Sequence, residues 1–151
     1  MGRRSHSQTL MLWANGELVG RWTLTARGGM VLQYAPAWLA SPRGRPFSLS
    51  LPSGFGNEPL RSDAVAHYFE GLLPDSDAIR RRMATRFRTG STDAFALLAA
   101  VGRDCVGALQ LLPEGQLPEG FGRVDGLVVD EAAIERHLLE VVGPDRFIGS
   151  R

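Results

Sequence analysis

The sequence contains no lysine, and all seventeen of its basic side chains are arginines. Chemistry that needs a primary amine is therefore excluded for this chain. The excluded groups include a Schiff-base lysine, a P-loop lysine and the phosphate-pairing lysine of protein kinases. The single cysteine, Cys105, cannot form an internal disulfide. The three histidines are scattered (His6, His67 and His137), so no ligand pair has metal-binding spacing, and we expect neither a metal nor a cofactor.

Long apolar runs and an excess of one charge are also missing. No stretch approaches the ~20 apolar residues that a membrane span needs. The start, Met1-Gly2-Arg3-Arg4, lacks the apolar region of a secretory signal, and His6 stands where a myristoylation signal has Ser or Thr. We therefore expect no membrane association and a cytoplasmic address. The net charge of +1 over 151 residues excludes a globally basic nucleic-acid binder.

The amino-terminal third has the pattern of a β-meander. Residues 1–8 are polar and predict a frayed end, after which residues 9–14 and 17–25 flank Asn15-Gly16, a strong hairpin signal. Gly28-Gly29 predicts a second turn before a strand at 30–34. Residues 47–51 (Phe-Ser-Leu-Ser-Leu) alternate apolar and polar side chains, which predicts a further half-buried strand.

The middle of the chain is predicted to be helical. Ser62 can cap a first helix, Ser76 or Asp77 begins a second that ends near Gly90, and a third runs from residues 91–93 to Gly102. Residues 105–112 then predict a buried strand that returns to the sheet. Residues 113–123 have the composition of a linker, and Asp130 caps a last helix closed by Gly143-Pro144.

No motif in the sequence makes a convincing catalytic site. Cys105 has no recognisable general base near it, and a cysteine in a buried strand is usually a small apolar residue. Gly54-Phe55-Gly56-Asn57 lacks the strand–loop–helix context of a phosphate-binding loop, so a turn is the better interpretation. Asp75 and Asp77 flank a helix start, where a negative charge is stabilised by the helix dipole. We therefore predict no catalytic residue.

A cluster of arginines on the second helix is the most prominent chemical feature. Its members lie opposite Ile79, Met83 and Phe87, and they are Arg80, Arg81, Arg82, Arg86 and Arg88. A solvated helix face is one interpretation. A docking patch for phosphates or carboxylates is the other, because guanidinium groups pair bidentately with both.

Several strings resemble the opening domain of the HipA family of toxin kinases. They occur in order across roughly residues 10–112, and they are residues 34–40 (Tyr-Ala-Pro-Ala-Trp-Leu-Ala), 45–52 (Arg-Pro-Phe-Ser-Leu-Ser-Leu-Pro), 62–65 (Ser-Asp-Ala-Val), 69–76 (Phe-Glu-Gly-Leu-Leu-Pro-Asp-Ser) and 101–108 (Val-Gly-Arg-Asp-Cys-Val-Gly-Ala). Full-length members are serine/threonine kinases that pair with a HipB-type helix-turn-helix antitoxin. Their catalytic residues lie in a downstream domain, so the resemblance assigns no catalytic role to any residue here.

The resemblance implies a non-catalytic interaction module that binds a HipA-type kinase core, a HipB-type antitoxin, or both. The chain is then either the first domain of such a kinase or a separate subunit similar to HipS. We expect an α+β fold with a small antiparallel, barrel-like sheet of about five strands, capped by two or three helices. The expected segments are 1–8 disordered, 9–112 HipA-like, 113–123 linker, and 124–151 a helical segment leading toward a kinase domain.

Three surfaces are the candidates for partner binding: the arginine-rich helix, the loop at 52–61 and the helix after the linker. The residues we select on them are Arg80, Arg81, Arg82, Arg86, Phe55, Asn57 and Leu138. The alternative hypothesis is a nucleic-acid contact module that uses the arginines within a toxin–antitoxin operator complex. A steep salt dependence of binding would distinguish that alternative.

Overall fold

The first two strands form the hairpin that Asn15-Gly16 predicts. In the computed structural model, which describes residues 6–104, 106–119 and 126–141, β1 (Gln8–Ala14) pairs antiparallel with β2 (Glu17–Leu24). Asn15 and Gly16 have φ values of 49° and 78°, the positive values that a tight type I′ turn requires. β1 begins inside the segment expected to be frayed, of which residues 1–5 lie outside the described residues.

The strands make one open antiparallel sheet. β3 (Met30–Tyr34) pairs with β2, and β4 (Gln110–Pro113) pairs with the far side of β1, which gives the order β3-β2-β1-β4. With its helices the chain has the α+β fold that was predicted. The described residues contain four strands rather than about five, and β3 and β4 lie at opposite edges, so the sheet is not closed into a barrel.

Residues 47–51, predicted as a strand, form a serine-stabilised turn instead. The Ser50 amide donates to Ser48 Oγ, the two hydroxyls lie 2.8 Å apart, and the Leu51 amide donates to the Ser48 carbonyl at 3.1 Å. Short hydroxyl side chains offer the backbone such local partners and thereby compete with strand pairing. A half-buried strand would place Leu49 and Leu51 on the same face, whereas here Leu51 is buried and Leu49 is fully exposed.

The described residues contain five α-helices, four of which lie between β3 and β4 in the sequence. They are α1 (Pro36–Ala40), α2 (Asp63–Glu70), α3 (Asp77–Phe87), α4 (Ala94–Val101) and, near the end, α5 (Glu131–Val141). α3 begins at Asp77, one of the two predicted starts, and the other, Ser76, caps it by accepting a hydrogen bond from the Ile79 amide. The left-handed residue that ends α3 is Arg88 rather than Gly90, although Gly90 also has a positive φ.

The return strand is shorter than predicted. Within residues 105–112, only the end belongs to β4; Val106 and Leu109 pair across a tight turn in which Gly107 has a φ of 64°. Before that turn, a 3-10 segment (Gly102–Asp104) passes so close to β4 that a Cβ on Gly102 would lie 2.6 Å from Leu111 Cβ. Glycine is therefore required at this approach. Cys105 lies outside the described residues.

The core lies between the sheet and α2 and α4. Trp22 of β2 stacks on Phe69 of α2 with 3.7 Å between ring centroids, and Phe95 of α4 packs against the same indole at 4.7 Å. Leu12 of β1 and Leu32 of β3, the strands on either side of β2, are fully buried. Burial of such large aromatic side chains supplies most of the stabilisation available to a domain of this size.

The chain divides into two units, Met1–Phe121 and Gly122–Arg151, and α5 belongs to the second. Asp130 caps α5 by accepting a hydrogen bond from the Ala133 amide at 2.8 Å, as the sequence predicts. The predicted closure of this helix at Gly143-Pro144 lies outside the described residues. In the described part of the chain, none of the helices has the length and apolar run that crossing a bilayer demands.

Candidate interaction surfaces

The loop of residues 52–59, which we call the Phe55 loop, presents a fully exposed aromatic ring. Phe55 begins a short 3-10 turn (Phe55–Asn57), and its relative accessibility is 103%. Gly56 and Asn57 both have positive φ values, 74° and 55°. These are conformations that glycine and asparagine adopt at low cost, so the sequence of the loop fits its backbone.

Asn57 fastens this loop to the edge of the sheet. Its Nδ2 donates to the Tyr34 carbonyl at 2.8 Å, and the Asn57 carbonyl accepts from Gln33 Nε2 at 3.4 Å. A further bridge joins Leu60 to Leu32 of β3 through two backbone hydrogen bonds. Asn57 was selected as a partner-binding residue, and the structure gives it a positioning role beneath Phe55.

Arg80 bonds to residues outside its own helix. Its Nη1 bonds Glu70 Oε2 at 2.6 Å, its Nε donates to the Pro74 carbonyl at 2.7 Å, and only 16% of its side chain is exposed. These bonds connect the start of α3 to the end of α2. The structure therefore assigns Arg80 to the helix–helix connection and separates it from the exposed arginines.

The remaining arginines of α3 are exposed together, and we call them the arginine face: Arg81, Arg82, Arg86 and Arg88. Arg81 Nε donates to the Asp77 carbonyl within the helix at 3.3 Å. The Arg86 guanidinium lies 5.7 Å from the ring centroid of Phe87, a side chain that is 44% exposed. A cation over an aromatic face is a favourable contact.

The second unit presents an apolar face on α5. Leu138, the residue predicted to bind a partner, is 58% exposed, and Ile134 and Leu139 are exposed beside it. They line a shallow groove whose borders are Glu131 and Glu135. This face belongs to the second unit, whereas the Phe55 loop and the arginines of α3 belong to the first.

Within residues 6–104, 106–119 and 126–141, no three His, Cys, Asp or Glu side chains are grouped to hold a metal ion. Burial raises the pKa of Tyr34 to about 12, and its hydroxyl donates to the Leu51 carbonyl at 2.6 Å. Burial also raises the pKa of Tyr68. Both phenols are therefore neutral at physiological pH, which suits packing rather than proton transfer.

Leu49 and Arg88 are exposed residues whose local structure the sequence did not reveal. Leu49 was assigned to a strand, yet it is as exposed as Phe55, with a relative accessibility of 102%. Arg88 was counted in the arginine cluster, but its left-handed backbone, with φ 53° and ψ 42°, could not be anticipated. Gly90, two residues further on, is of the type that usually ends a helix in this conformation, so the sequence points to Gly90 and not to Arg88.

Comparison with known proteins agrees with the resemblance in the sequence. The family model described as HipA N-terminal domain matches residues 10–112. A protein of Sinorhizobium fredii (strain NBRC 101917 / NGR234), named "Putative kinase Y4mE", is 37% identical over 136 residues. The match covers 87% of this chain but 31% of the relative, so the chain spans about a third of that protein's length. Because the family model covers well over half of the sequence, the chain belongs to the HipA N-terminal domain family.

Proposed function

We propose that this chain is a non-catalytic interaction module of a HipA-type toxin–antitoxin kinase system, acting in the cytoplasm. Its partners in this proposal are a HipA-type kinase core, joined to it or separate, and a HipB-type antitoxin. Membership of the HipA N-terminal domain family supports the association with such systems. The choice of partners is our inference.

The observation that carries the proposal is the exposed ring of Phe55 on a fastened loop. A fully exposed phenylalanine gains free energy when a partner removes it from water, since aromatic side chains bury a large apolar area. Asn57 and the Leu32–Leu60 bridge already hold the loop in place. Binding then requires little additional ordering, which favours affinity.

The apolar face of α5 supports the same function from the second unit. Ile134, Leu138 and Leu139 are large apolar side chains on one short helix, and each is about half exposed or more. Their helix has a cap of its own in Asp130, so its start is defined locally. We assign this face to contact with the kinase core.

The absence of lysine supports a role without phosphoryl transfer by these residues. A protein kinase uses a lysine amine to hold the phosphates of ATP, and residues 1–151 contain none. Arginine is not an equivalent replacement, because its planar guanidinium differs from an ammonium in shape and hydration. In this proposal any phosphorylation belongs to the kinase partner.

The test is binding of the purified chain to a separately expressed HipA-type kinase domain and to a HipB-type antitoxin, measured by calorimetry. We expect Phe55→Ser to weaken binding by about 30-fold, the effect of losing a hot-spot side chain worth ~2 kcal/mol. Leu49→Ser removes an equally exposed apolar residue and serves as the matched control, with no expected change. The proposal is overturned if the unaltered chain binds neither protein at concentrations on the order of 100 µM, since specific association is expected below that value.

A further inference from the structure

The exposed apolar side chains of the described residues are concentrated around α5. Ten large apolar side chains are exposed in that part of the chain, and six of them lie between residues 127 and 139. Three of the six come just before the Asp130 cap, and the other three lie on the helix. Apolar residues scattered singly over a surface are ordinary, whereas a group of them marks an interaction site.

The apolar side chains of α5 lie beside a row of carboxylates. Glu131, Glu135 and Leu139 follow one another at intervals of four residues, so they lie on the same side of the helix. Ile134 and Leu138, also four apart, form the neighbouring row. The two rows together line one groove, which we call the α5 groove. A partner that covers its leucines therefore covers a carboxylate as well.

The carboxylates of the α5 groove have no cation beside them in the described part of the chain. The side chains of Glu131 and Glu135 are exposed and make no hydrogen bond or ion pair with any described residue. Arg136 belongs to the same helix but does not line the groove. The helix dipole stabilises a negative charge in the first turn, which accounts for Glu131 but not for Glu135.

This charge restricts what can cover the groove. A wholly apolar partner would remove water from Glu135 and leave the carboxylate unpaired, which is costly. A second copy of the chain would bring the same glutamates to the interface, and like charges opposed across an interface disfavour the pairing. An anionic lipid surface is disfavoured for the same reason. The occupant that fits the groove supplies apolar side chains and cations together.

From these observations we propose that the α5 groove binds a basic amphipathic helix of a protein partner. The apolar side chains of that helix cover the isoleucine and the leucines, and its arginines pair with the two glutamates. Arginines four residues apart on a facing helix match the spacing of these glutamates, and each guanidinium can pair bidentately with a carboxylate. This inference rests on the proposed function, in which the same face contacts the kinase core, and it specifies the chemistry of the partner surface.

The test uses the full chain and a fluorescein-labelled helical peptide of leucines and arginines at helical spacing, with binding measured by fluorescence anisotropy. Glu135→Gln removes one charge with little change of shape and should weaken binding about tenfold, the loss of one charge-assisted contact. Glu140→Gln removes the same charge from an exposed position of α5 outside the groove. It is the matched control, expected within about twofold of the unaltered chain. A peptide with Gln in place of every Arg should bind at least about tenfold more weakly.

Charge reversal separates specific pairing from a general effect of net charge. Glu131→Arg/Glu135→Arg should prefer a peptide with Glu in place of every Arg, whereas the unaltered chain prefers the arginine peptide. Glu114→Arg/Glu140→Arg changes the net charge equally at exposed positions outside the groove and should keep the original preference. A gained ligand cannot result from misfolding. Equal losses in Glu135→Gln and Glu140→Gln, or a reversed preference in both double variants, overturn the inference.

Two other outcomes also overturn it, because they assign the groove to another occupant. The first is a dimer in analytical ultracentrifugation that Leu138→Ala abolishes. The second is binding to vesicles of phosphatidylserine and phosphatidylcholine that Leu138→Ala abolishes. The proposed function is tested separately with the kinase domain and the antitoxin. A kinase domain that binds the unaltered chain and Glu131→Gln/Glu135→Gln equally well overturns the inference alone, whereas binding of neither protein overturns the proposed function.

Discussion

Helices α2 and α3 are neighbours in the sequence, but they are built for different surroundings. α2 buries Val65 and Phe69 completely, and its phenylalanine stacks on Trp22 of the sheet. α3 is longer and buries no residue completely; it is held by its Ser76 cap and by the bonds of Arg80 to the end of α2. The first helix is therefore anchored by complete burial, whereas the second combines partial packing of Met83 and Ala84 with its cap and its polar bonds.

The contrast has a functional meaning. A helix that contributes little to the core can change its outward residues without loss of the fold, because surface substitutions usually alter stability only slightly. α3 can therefore carry a dense positive charge that α2, packed against the sheet, could not carry on its buried side. The following four predictions test this contrast, in order of decreasing expected effect.

The largest effect is expected at the phenylalanines of the two helices. Phe69→Ala should lower the free energy of unfolding by about 3–5 kcal/mol, because it leaves a cavity against Trp22. Phe87→Ala, the matched change on α3, should cost less than about 1 kcal/mol because the ring is already 44% exposed. Urea denaturation measures both values, and similar losses in the two variants would remove the contrast.

The next-largest effect is the loss of folding stability at high pH that the ionisation of Tyr34 causes. The folded-state pKa of Tyr34 is raised to about 12 by burial, so the neutral phenol is favoured in the folded chain. The associated stability is complete below pH 10, the unfolded value, and is lost as the pH rises from 10 to 12. The loss should reach about 2 kcal/mol at pH 12.

Tyr34→Phe isolates this contribution. The variant should lose less stability than the unaltered chain between pH 10 and 12, although it also lacks the bond to the Leu51 carbonyl at every pH. A variant whose stability falls as steeply as that of the unaltered chain would place the pH dependence elsewhere.

A smaller effect on stability is expected to distinguish Arg80, which bonds to Glu70 and Pro74, from the exposed Arg82. Arg80→Ala should cost about 1–2 kcal/mol, chiefly because the Pro74 carbonyl and Glu70 lose their partner. The ion pair itself contributes little of this, since 45% of the Glu70 side chain is exposed. Arg82→Ala should change stability by no more than about 0.5 kcal/mol. Thermal and urea unfolding compare the two, and equal costs would contradict the structural role of Arg80.

The smallest effect compares the two serine caps. Ser76 accepts a hydrogen bond from the Ile79 amide at 3.4 Å, whereas the Ser62 side chain makes no capping bond to α2. Ser76→Ala should therefore cost about 0.5–1 kcal/mol, and Ser62→Ala should be nearly neutral. A larger cost for Ser62→Ala would show that α2 also depends on its cap.

Local features of the fold were predictable from the sequence, and non-local ones were not. The hairpin at Asn15-Gly16 and the Ser76 cap depend on a few adjacent residues, so their signals are complete in the sequence. The turn at 47–51 is different, because an alternating pattern cannot reveal whether a partner strand is available. The pairing of β4 with β1, which leaves the sheet open, likewise depends on residues far apart in the chain.

The roles of the candidate surface residues also depend on non-local contacts, which the sequence does not reveal. Arg80 and Arg81 are identical in type and adjacent in sequence, and their difference arises from where α2 ends and where the Pro74 carbonyl points. Phe55 and Asn57 were selected together from one loop. Their division into an exposed ring and a fastening amide depends on contacts with Tyr34 and Gln33 of a distant strand.

The position of β4 beside β1 has a consequence for how the chain folds. Leu12 pairs with Leu111, so the sheet gains its fourth strand only when segments roughly 100 residues apart meet, and closing such a loop is entropically costly. Until then one edge of the hairpin has free amides and carbonyls, which can pair with another chain. We expect the completion of this sheet to be the slow step of folding, and the interval before it to be the period of greatest aggregation risk.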